Sequence, residues 1–157
     1  ATCATCHISA FGTSETTHDV GERLSWYLFA PTSTRRPSWE ANVGRMQGVC
    51  IACHNQTFID TFFAAGDAAT EAVNAWVAES DAIVAPLQDA GLLTDEPFDQ
   101  PIDFTIFELW HHWGRTAKFG VWMQGPDYVQ WHGAYEILSD LAELRQTAAE
   151  LQGGQSQ

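Results

Sequence analysis

The feature that most constrains this chain is a five-residue pattern that occurs twice. CATCH runs from Cys3 to His7, and CIACH runs from Cys50 to His54. The chain has 4 cysteines, and all of them lie in these two segments. A model of the fold and of the function must therefore account for two copies of C-x-x-C-H.

Several kinds of chemistry use cysteines at this spacing. A thioredoxin-like redox pair would need a strand followed by a helix, and no strand-rich sequence surrounds either segment. A disulfide within each C-x-x-C would close a very short loop and would restrain little chain entropy. A single zinc site made by all 4 cysteines is a stronger alternative, but the roughly 43 residues between the pairs are long for zinc knuckles, and both histidines would lack a role.

Covalent haem attachment uses every residue of the pattern. Two thiols separated by two residues add to the vinyl groups of one porphyrin, and the histidine that follows ligates the iron. Two copies that use all the cysteines predict two haem c groups (iron), held by Cys3, Cys6, His7, Cys50, Cys53 and His54. Because haem c is attached outside the cytoplasm, we expect a periplasmic or extracellular protein, a mature chain after signal removal.

The other histidines are candidates for the distal axial position of each iron. The chain has 6 histidines, and those left after the proximal pair are His18, His111, His112 and His132. We predict His18 and His111 as the distal ligands and keep the other two as alternatives. Methionine is the alternative distal ligand of a haem iron. Met46, however, lies four residues before Cys50 on the same predicted helix, which is a poor position for reaching the far side of that haem. Two histidines on each iron lower the reduction potential relative to His/Met ligation and leave no vacant position for a substrate.

Hydrophobic spacing predicts an all-α protein that forms a single dihaem cytochrome c domain over residues 1–157. Residues 1–55 form the haem-attachment segment, and residues 56–152 form an up-and-down bundle of three long helices. The expected helices run from Gln56 to about Leu92, from about Phe104 to Met123, and from about Asp127 to Gly153. In the last of them Trp131, Tyr135, Leu138, Leu141 and Leu144 are predicted to share one buried stripe.

Shorter helices are predicted around the haem motifs. Thr17 or Asp19 is suited to cap a helix that carries Val20, Leu24 and Leu28 at helical spacing. Ser38 is suited to cap a second helix, which ends at the second C-x-x-C-H segment.

The charge of the chain restricts its partners. Asp and Glu total 20 against 7 Lys and Arg, which gives a net charge of -13. Such a chain repels nucleic acid and anionic membrane surfaces, and it attracts cationic proteins. No apolar run is long enough to cross a bilayer. We therefore expect cationic redox proteins as partners, with no nucleic acid and no membrane span.

Longer stretches resemble the C-terminal part of the octahaem hydroxylamine oxidoreductase family of multihaem c-type cytochromes, which includes hydrazine dehydrogenase relatives. They are TCATCHISAFG, THDVGERLSWYLF, RRPSWEANVGRMQGVCIACHNQTFID, EPFDQPIDFTIFELWHHWGRTAKFG and GPDYVQWHGAYEIL. The resemblance implies that the two haems correspond to the last two of eight, which are bis-histidine electron carriers. It also implies trimeric association through the long helices, with a tyrosine from this region bonded to the catalytic haem of a neighbouring subunit.

The chain departs from this family because the six other haem motifs are absent. Tyr128, in GPDY, falls where the bonded tyrosine would be sought, but we expect it to be a core residue at a helix start. We therefore favour an electron carrier with no catalytic residue, associated as a homo-oligomer or filament with haem contacts between subunits. The alternative is part of a hydroxylamine oxidoreductase-like enzyme that oxidises small nitrogen compounds, with an open iron and with Asp127 and Tyr128 as acid or base. A zinc-bound interaction module is the third possibility.

Overall fold

The computed structural model describes residues 1–154, and the fold is all-α, as predicted. It divides into two compact units. The first consists of Ala1–Tyr27 and Ser33–Asp67, and the second consists of Leu28–Thr32 and residues 68–154. None of the described helices has both the length and the apolar character that a bilayer crossing requires.

The first unit begins with a helix made entirely of the first haem motif. Helix α1 spans Cys3–His7, and Thr2 and Thr5 close a reciprocal capping box at its start. The helix predicted near His18 is only a single 3₁₀ turn, Val20–Arg23. Asp19 does cap it, since its carboxylate accepts a hydrogen bond from the Gly21 amide at 2.8 Å. The prediction failed beyond this turn because the chain becomes extended at Leu24.

A small hairpin and a second helix complete this part of the chain. Strand β1, Trp26–Tyr27, pairs antiparallel with β2, Thr34–Arg35. The Arg35 guanidinium lies 4.0 Å from the ring of Trp26 and 4.4 Å from that of Trp39, and it forms an ion pair with Asp67 at 2.7 Å. Helix α2, Trp39–Cys50, ends at the second haem motif, as predicted.

Helix α3 spans Gln56–Asp89. The side chain of Asn55 starts it by accepting a hydrogen bond from the Phe58 amide at 2.9 Å. Pro86 lies in the last turn of α3. Because proline has no backbone N–H to donate, the helix ends soon after it.

The second unit contains two further long helices, each interrupted by a π-helical segment. One consists of α4, Pro101–Phe107, the π segment Glu108–Gly114, and α5, Arg115–Trp122. The other consists of α6, Pro126–Val129, the π segment Gln130–Ala134, and α7, Tyr135–Gly154. With α3 they form the predicted up-and-down bundle, whose core includes Val73, Val77, Leu87, Ile102, Leu109, Ala117, Ile137, Leu141, Leu144 and Ala148.

The predicted stripe of the last helix is only partly buried. Leu141 and Leu144 are fully buried, whereas Trp131, Tyr135 and Leu138 are exposed. At about 100° per residue, Trp131 and Leu144 lie roughly 140° apart around a straight helix, too far for one buried face. The buried face instead consists of Gly133, Ile137, Leu141, Leu144 and Ala148.

Candidate haem sites

The first C-x-x-C-H motif lies on α1, and one of its two cysteines is exposed. Cys3 is exposed, and Cys6 and His7 are half-buried. The chain after His7 folds back, because the Thr17 amide donates to the Ile8 carbonyl at 2.9 Å. The next residue, His18, is exposed. Local hydrogen bonding therefore keeps the predicted distal ligand in the same loop as His7.

A buried arginine holds this loop together. Arg23 is only 3% exposed, and its guanidinium donates to the carbonyl oxygens of Cys6 at 2.8 Å, Ser9 at 2.9 Å and Glu15. Burial and the neighbouring Arg23 charge lower the pKa of His7. His7 is thus kept in the neutral form that can ligate a metal.

The second motif forms the end of α2 and the turn that follows. Cys50 is the last residue of the helix, and the amides of Cys53 and His54 both donate to its carbonyl oxygen at 3.0 Å. His54 is exposed, and its ring stacks on Phe58 with the centroids 4.2 Å apart and the planes 14° from parallel. The predicted proximal imidazole of this motif is therefore positioned by an aromatic ring.

Two glycines bring the two motifs together. Gly12 has φ +60°, and the Thr13 amide donates to the Gly48 carbonyl oxygen at 2.9 Å. A Cβ on Gly12 would lie 2.0 Å from that oxygen, so a larger residue would push the loop away from α2. Burial, and then the nearby Cys6 thiol, raise the pKa of Cys50. The thiol of the first motif therefore acts electrostatically on a cysteine of the second.

The first unit has the donor set that covalent haem requires. All four cysteines are free thiols, two in each motif, each pair followed directly by a histidine. His7 Nδ1 is buried and has no hydrogen-bond partner among the described residues. Within residues 1–154 no three His, Cys, Asp or Glu side chains are grouped as a metal site. These residues fit two attached haem groups, each held by two thioethers and one proximal imidazole.

His111 lies in the second unit, in the first π segment. Its Nε2 is 2.9 Å from Nη1 of Arg115, and its ring stacks on Phe107 with the centroids 4.4 Å apart. Desolvation, and then the charges of Arg115 and His112, lower the pKa of His111. As an iron ligand through Nε2, His111 would have to exchange its contact with Arg115 for the metal.

His111 and His112 line an open groove of about 630 Å³. Its walls also include Trp113, Phe119, Met123 and Tyr128. Tyr128 is 58% exposed, so the expectation that it is a core residue is wrong. Gly120 packs against the base of this side chain, since an added Cβ on Gly120 would lie 2.8 Å from Tyr128 Cβ.

His132 lies in the second π segment, at a kink with φ -101° and ψ 18°. Its ring is 5.8 Å from that of Tyr128. At the next residue, Gly133, an added Cβ would be 2.7 Å from Cβ of Ala117 on α5. The missing side chain of Gly133 therefore allows two helices to approach closely.

Seven of the eight predicted haem ligands and attachment residues lie in the first unit, and His111 lies in the second. The structure brings both C-x-x-C-H segments together, and the assignment of His18 and His111 as distal ligands stays a prediction. Sequence reasoning missed Arg23, for which no local pattern exists, and both π segments. It also missed the contact of Gly12 with Gly48, although a glycine two residues before Cys50 was a usable signal.

Comparisons with known proteins give the fold a context. No protein-family model matches the chain, and no curated protein matches it. A solved structure described as a hypothetical multiheme protein superposes with a TM-score of 0.89 at 16% identity, covering 99% of this chain and 46% of the other. The reducing HAO-like protein complex of Kuenenia stuttgartiensis superposes with a TM-score of 0.71 at 16% identity, covering 77% of this chain and 35% of the other.

This chain shares the fold of parts of these two structures. It spans less than half the length of either structure that it matches. Its fold agrees with the resemblance stated above for the sequence. At 16% identity, the likeness concerns the fold.

Proposed function

We propose that this protein is a dihaem c-type cytochrome that carries electrons through two bis-histidine haems. The observation that carries the proposal is the convergence of the two C-x-x-C-H segments in one unit, where the loop after the first segment hydrogen-bonds to the helix that carries the second and all four thiols are free. Bound haem supplies one-electron chemistry at its iron. The proximity of the motifs supports transfer within the chain.

The residues of the chain fix and tune the two sites. Each cysteine pair anchors a group covalently, and His7 and His54 supply the proximal nitrogen atoms. His18 and His111, as the predicted distal ligands, fill the remaining positions and so exclude small molecules from the metals. The half-buried His7 and the exposed His54 give the two sites different access to water.

The charge of the chain and the comparisons support the proposed partners. The net charge of -13 supports cationic redox proteins as electron donors or acceptors. Similarity to a HAO-like protein complex supports a multi-subunit arrangement. We place the protein in the periplasm or outside the cell, as a homo-oligomer or filament with haem contacts between subunits.

The second candidate function is that of one part of a hydroxylamine oxidoreductase-like enzyme that oxidises small nitrogen compounds. The observation that favours it is the open groove beside His111 and His112, in which the half-exposed Tyr128 offers a phenol. This function would need an iron with a free position, with Asp127 or Tyr128 as acid or base.

Mass and optical spectra of the holoprotein separate these functions. We expect a mass gain of two haem groups, of which Cys3→Ser with Cys6→Ser removes one and Cys50→Ser with Cys53→Ser removes the other. We also expect low-spin bands that carbon monoxide and hydroxylamine do not change. A high-spin component that shifts with either ligand would overturn the carrier in favour of the enzyme, and a protein without haem bands would overturn both.

A further inference from the structure

Arg23 carries a charge that its surroundings do not neutralise. Its guanidinium donates to the carbonyl oxygens of Cys6, Ser9 and Glu15, which are neutral groups. No ion pair among residues 1–154 includes Arg23. The acidic side chains closest in sequence, those of Asp19 and Glu22, are exposed, and water screens their charge far more than that of a side chain only 3% exposed.

The same arginine occupies carbonyl groups that flank His7. A metal-bound histidine usually donates its second ring N–H to a carbonyl or carboxylate, which makes the imidazole a stronger electron donor. Here Nδ1 of His7 is buried without a partner among the described residues, while Arg23 takes the carbonyls of Cys6 and Ser9. His7 is therefore the weaker kind of proximal donor.

His54 has a different environment. Its ring is exposed and stacks on Phe58, so water and an uncharged aromatic ring surround it. Solvent favours the more highly charged ferric state, whereas a nearby buried cation favours the ferrous state, which has one positive charge fewer. The two environments act on the reduction potential in opposite directions.

We propose that Arg23 is a positioning residue that sets the two sites apart, making the haem on Cys3 and Cys6 the one of higher reduction potential. This inference rests on the proposed dihaem function. Arg23 acts through its fixed charge beside His7 and through the carbonyl groups that it withholds from Nδ1. The site at His7 is consequently the first to be reduced and the last to be oxidised, and electrons collect there from the site at His54.

A redox titration of the holoprotein, followed optically, tests this assignment. The wild-type protein should show two separated midpoint potentials. Arg23→Met should lower the higher potential and narrow the separation, while the lower potential stays in place. Arg23→Lys keeps the charge but not the three-way hydrogen bonding, so it should retain most of the separation. If Arg23→Met and Arg23→Lys reduce the separation between the two midpoint potentials equally, the role of the charge is overturned. A shift confined to the lower potential would overturn it as well.

Two controls keep the outcomes distinct. Arg45 is an exposed arginine of the same unit, and Arg45→Met removes the same charge. It should shift the higher potential less than Arg23→Met does, and high salt should abolish that smaller shift. If Arg23→Met does not fold, Arg23→Lys alone still tests the inference. The inference is contradicted if the higher midpoint potential of Arg23→Lys falls to the value of the lower one. If the protein has two low-spin haems and replacing Arg23 leaves both midpoint potentials unchanged, only this inference is wrong. If the haem count differs from two, the proposed function is wrong.

Discussion

The carbonyl oxygen of Gly48 lies 2.0 Å from the position that a Cβ on Gly12 would occupy. These two glycines allow the loop after the first haem motif to touch the helix that carries the second. The contact supplies a hydrogen bond, from the Thr13 amide to the same oxygen. The spacing of the two C-x-x-C-H motifs thus depends on two facing residues that both lack a side chain.

We expect Gly12→Ala to destabilise the holoprotein by about 2–4 kcal/mol, because it combines a strained φ of +60° with a backbone clash. Urea denaturation measures the change. The matched control is Gly91→Ala, since Gly91 has φ +66° but nothing within 4 Å of an added Cβ. That variant should lose only about 1 kcal/mol. Equal losses in the two variants would show that the contact with Gly48 adds nothing.

Replacement of the predicted distal ligands should change the spin state of one haem at a time. His18→Ala and His111→Ala should each convert one haem to a high-spin form that binds carbon monoxide, because each opens one axial position. Optical and electron paramagnetic resonance spectra report this change. His132→Ala serves as the control and should leave both haems low-spin. A low-spin spectrum in His18→Ala or in His111→Ala would remove that histidine from the ligand set.

Asp140 should make the stability of the protein fall as the pH rises. Burial, and then Glu108, Glu143 and Glu136, raise its pKa from 3.8 to about 7, although the Trp113 side chain hydrogen-bonds to it. The folded state therefore binds more protons than the unfolded state between these values, and stability declines with rising pH until about pH 7.

Asp140→Asn should flatten this decline and should stabilise the protein at pH 8 by roughly 1–2 kcal/mol, a value reduced for partial exposure of the carboxylate. Urea denaturation at pH 5 and pH 8 gives the comparison. Glu143→Gln, which leaves Asp140 in place, should recover only part of the effect. If Asp140→Asn keeps the full pH dependence of the wild-type protein, the decline has another source.

Lys118 should have the opposite pH signature. It is fully buried, its Nζ donates to the carbonyls of Ala30 at 2.9 Å and Pro31 at 3.2 Å, and burial, then Arg115, lower its pKa to about 8. The unfolded state binds more protons between pH 8 and 10.5, so stability rises with pH across that window.

Lys118→Met should abolish this rise and should cost about 1–3 kcal/mol near pH 9, since two carbonyl groups lose their donor. Thermal unfolding at pH 8 and pH 10 measures both effects. Arg145→Met removes an exposed cation paired with Glu79 and should cost less than about 1 kcal/mol. If the stability of Lys118→Met rises with pH as much as that of the wild-type protein, Lys118 is not the source of the rise.

The helical bundle was predictable because its evidence is local and repeated. Apolar residues at three- and four-residue steps over long stretches indicate helices, and α3 ends at Asp89, within a turn of the predicted end near Leu92. The region after His7 was harder, since it is held by tertiary contacts. Arg23 is buried there among carbonyl groups, and the expected helix shrinks to the turn Val20–Arg23. A cation that binds backbone oxygen atoms leaves no periodic signal in the sequence.

The π segments were not predictable for a related reason. They keep a helical composition and differ from an α-helix only by the room for one extra residue per turn. Both segments, Glu108–Gly114 and Gln130–Ala134, carry histidines. Only the three-dimensional structure shows that these histidines lie where the helical register changes.

That register has a consequence for how such a module diverges. A deletion of one residue within the segment Glu108–Gly114, ahead of position 111, would restore a regular helix and leave the residues after the segment in place, because the π turn is the room that the extra residue takes. His112 would then take the place around the helix axis that His111 has now, without any substitution. Insertions and deletions in these short segments, as well as point mutations, are therefore a route by which related proteins can change which histidine is presented to a metal.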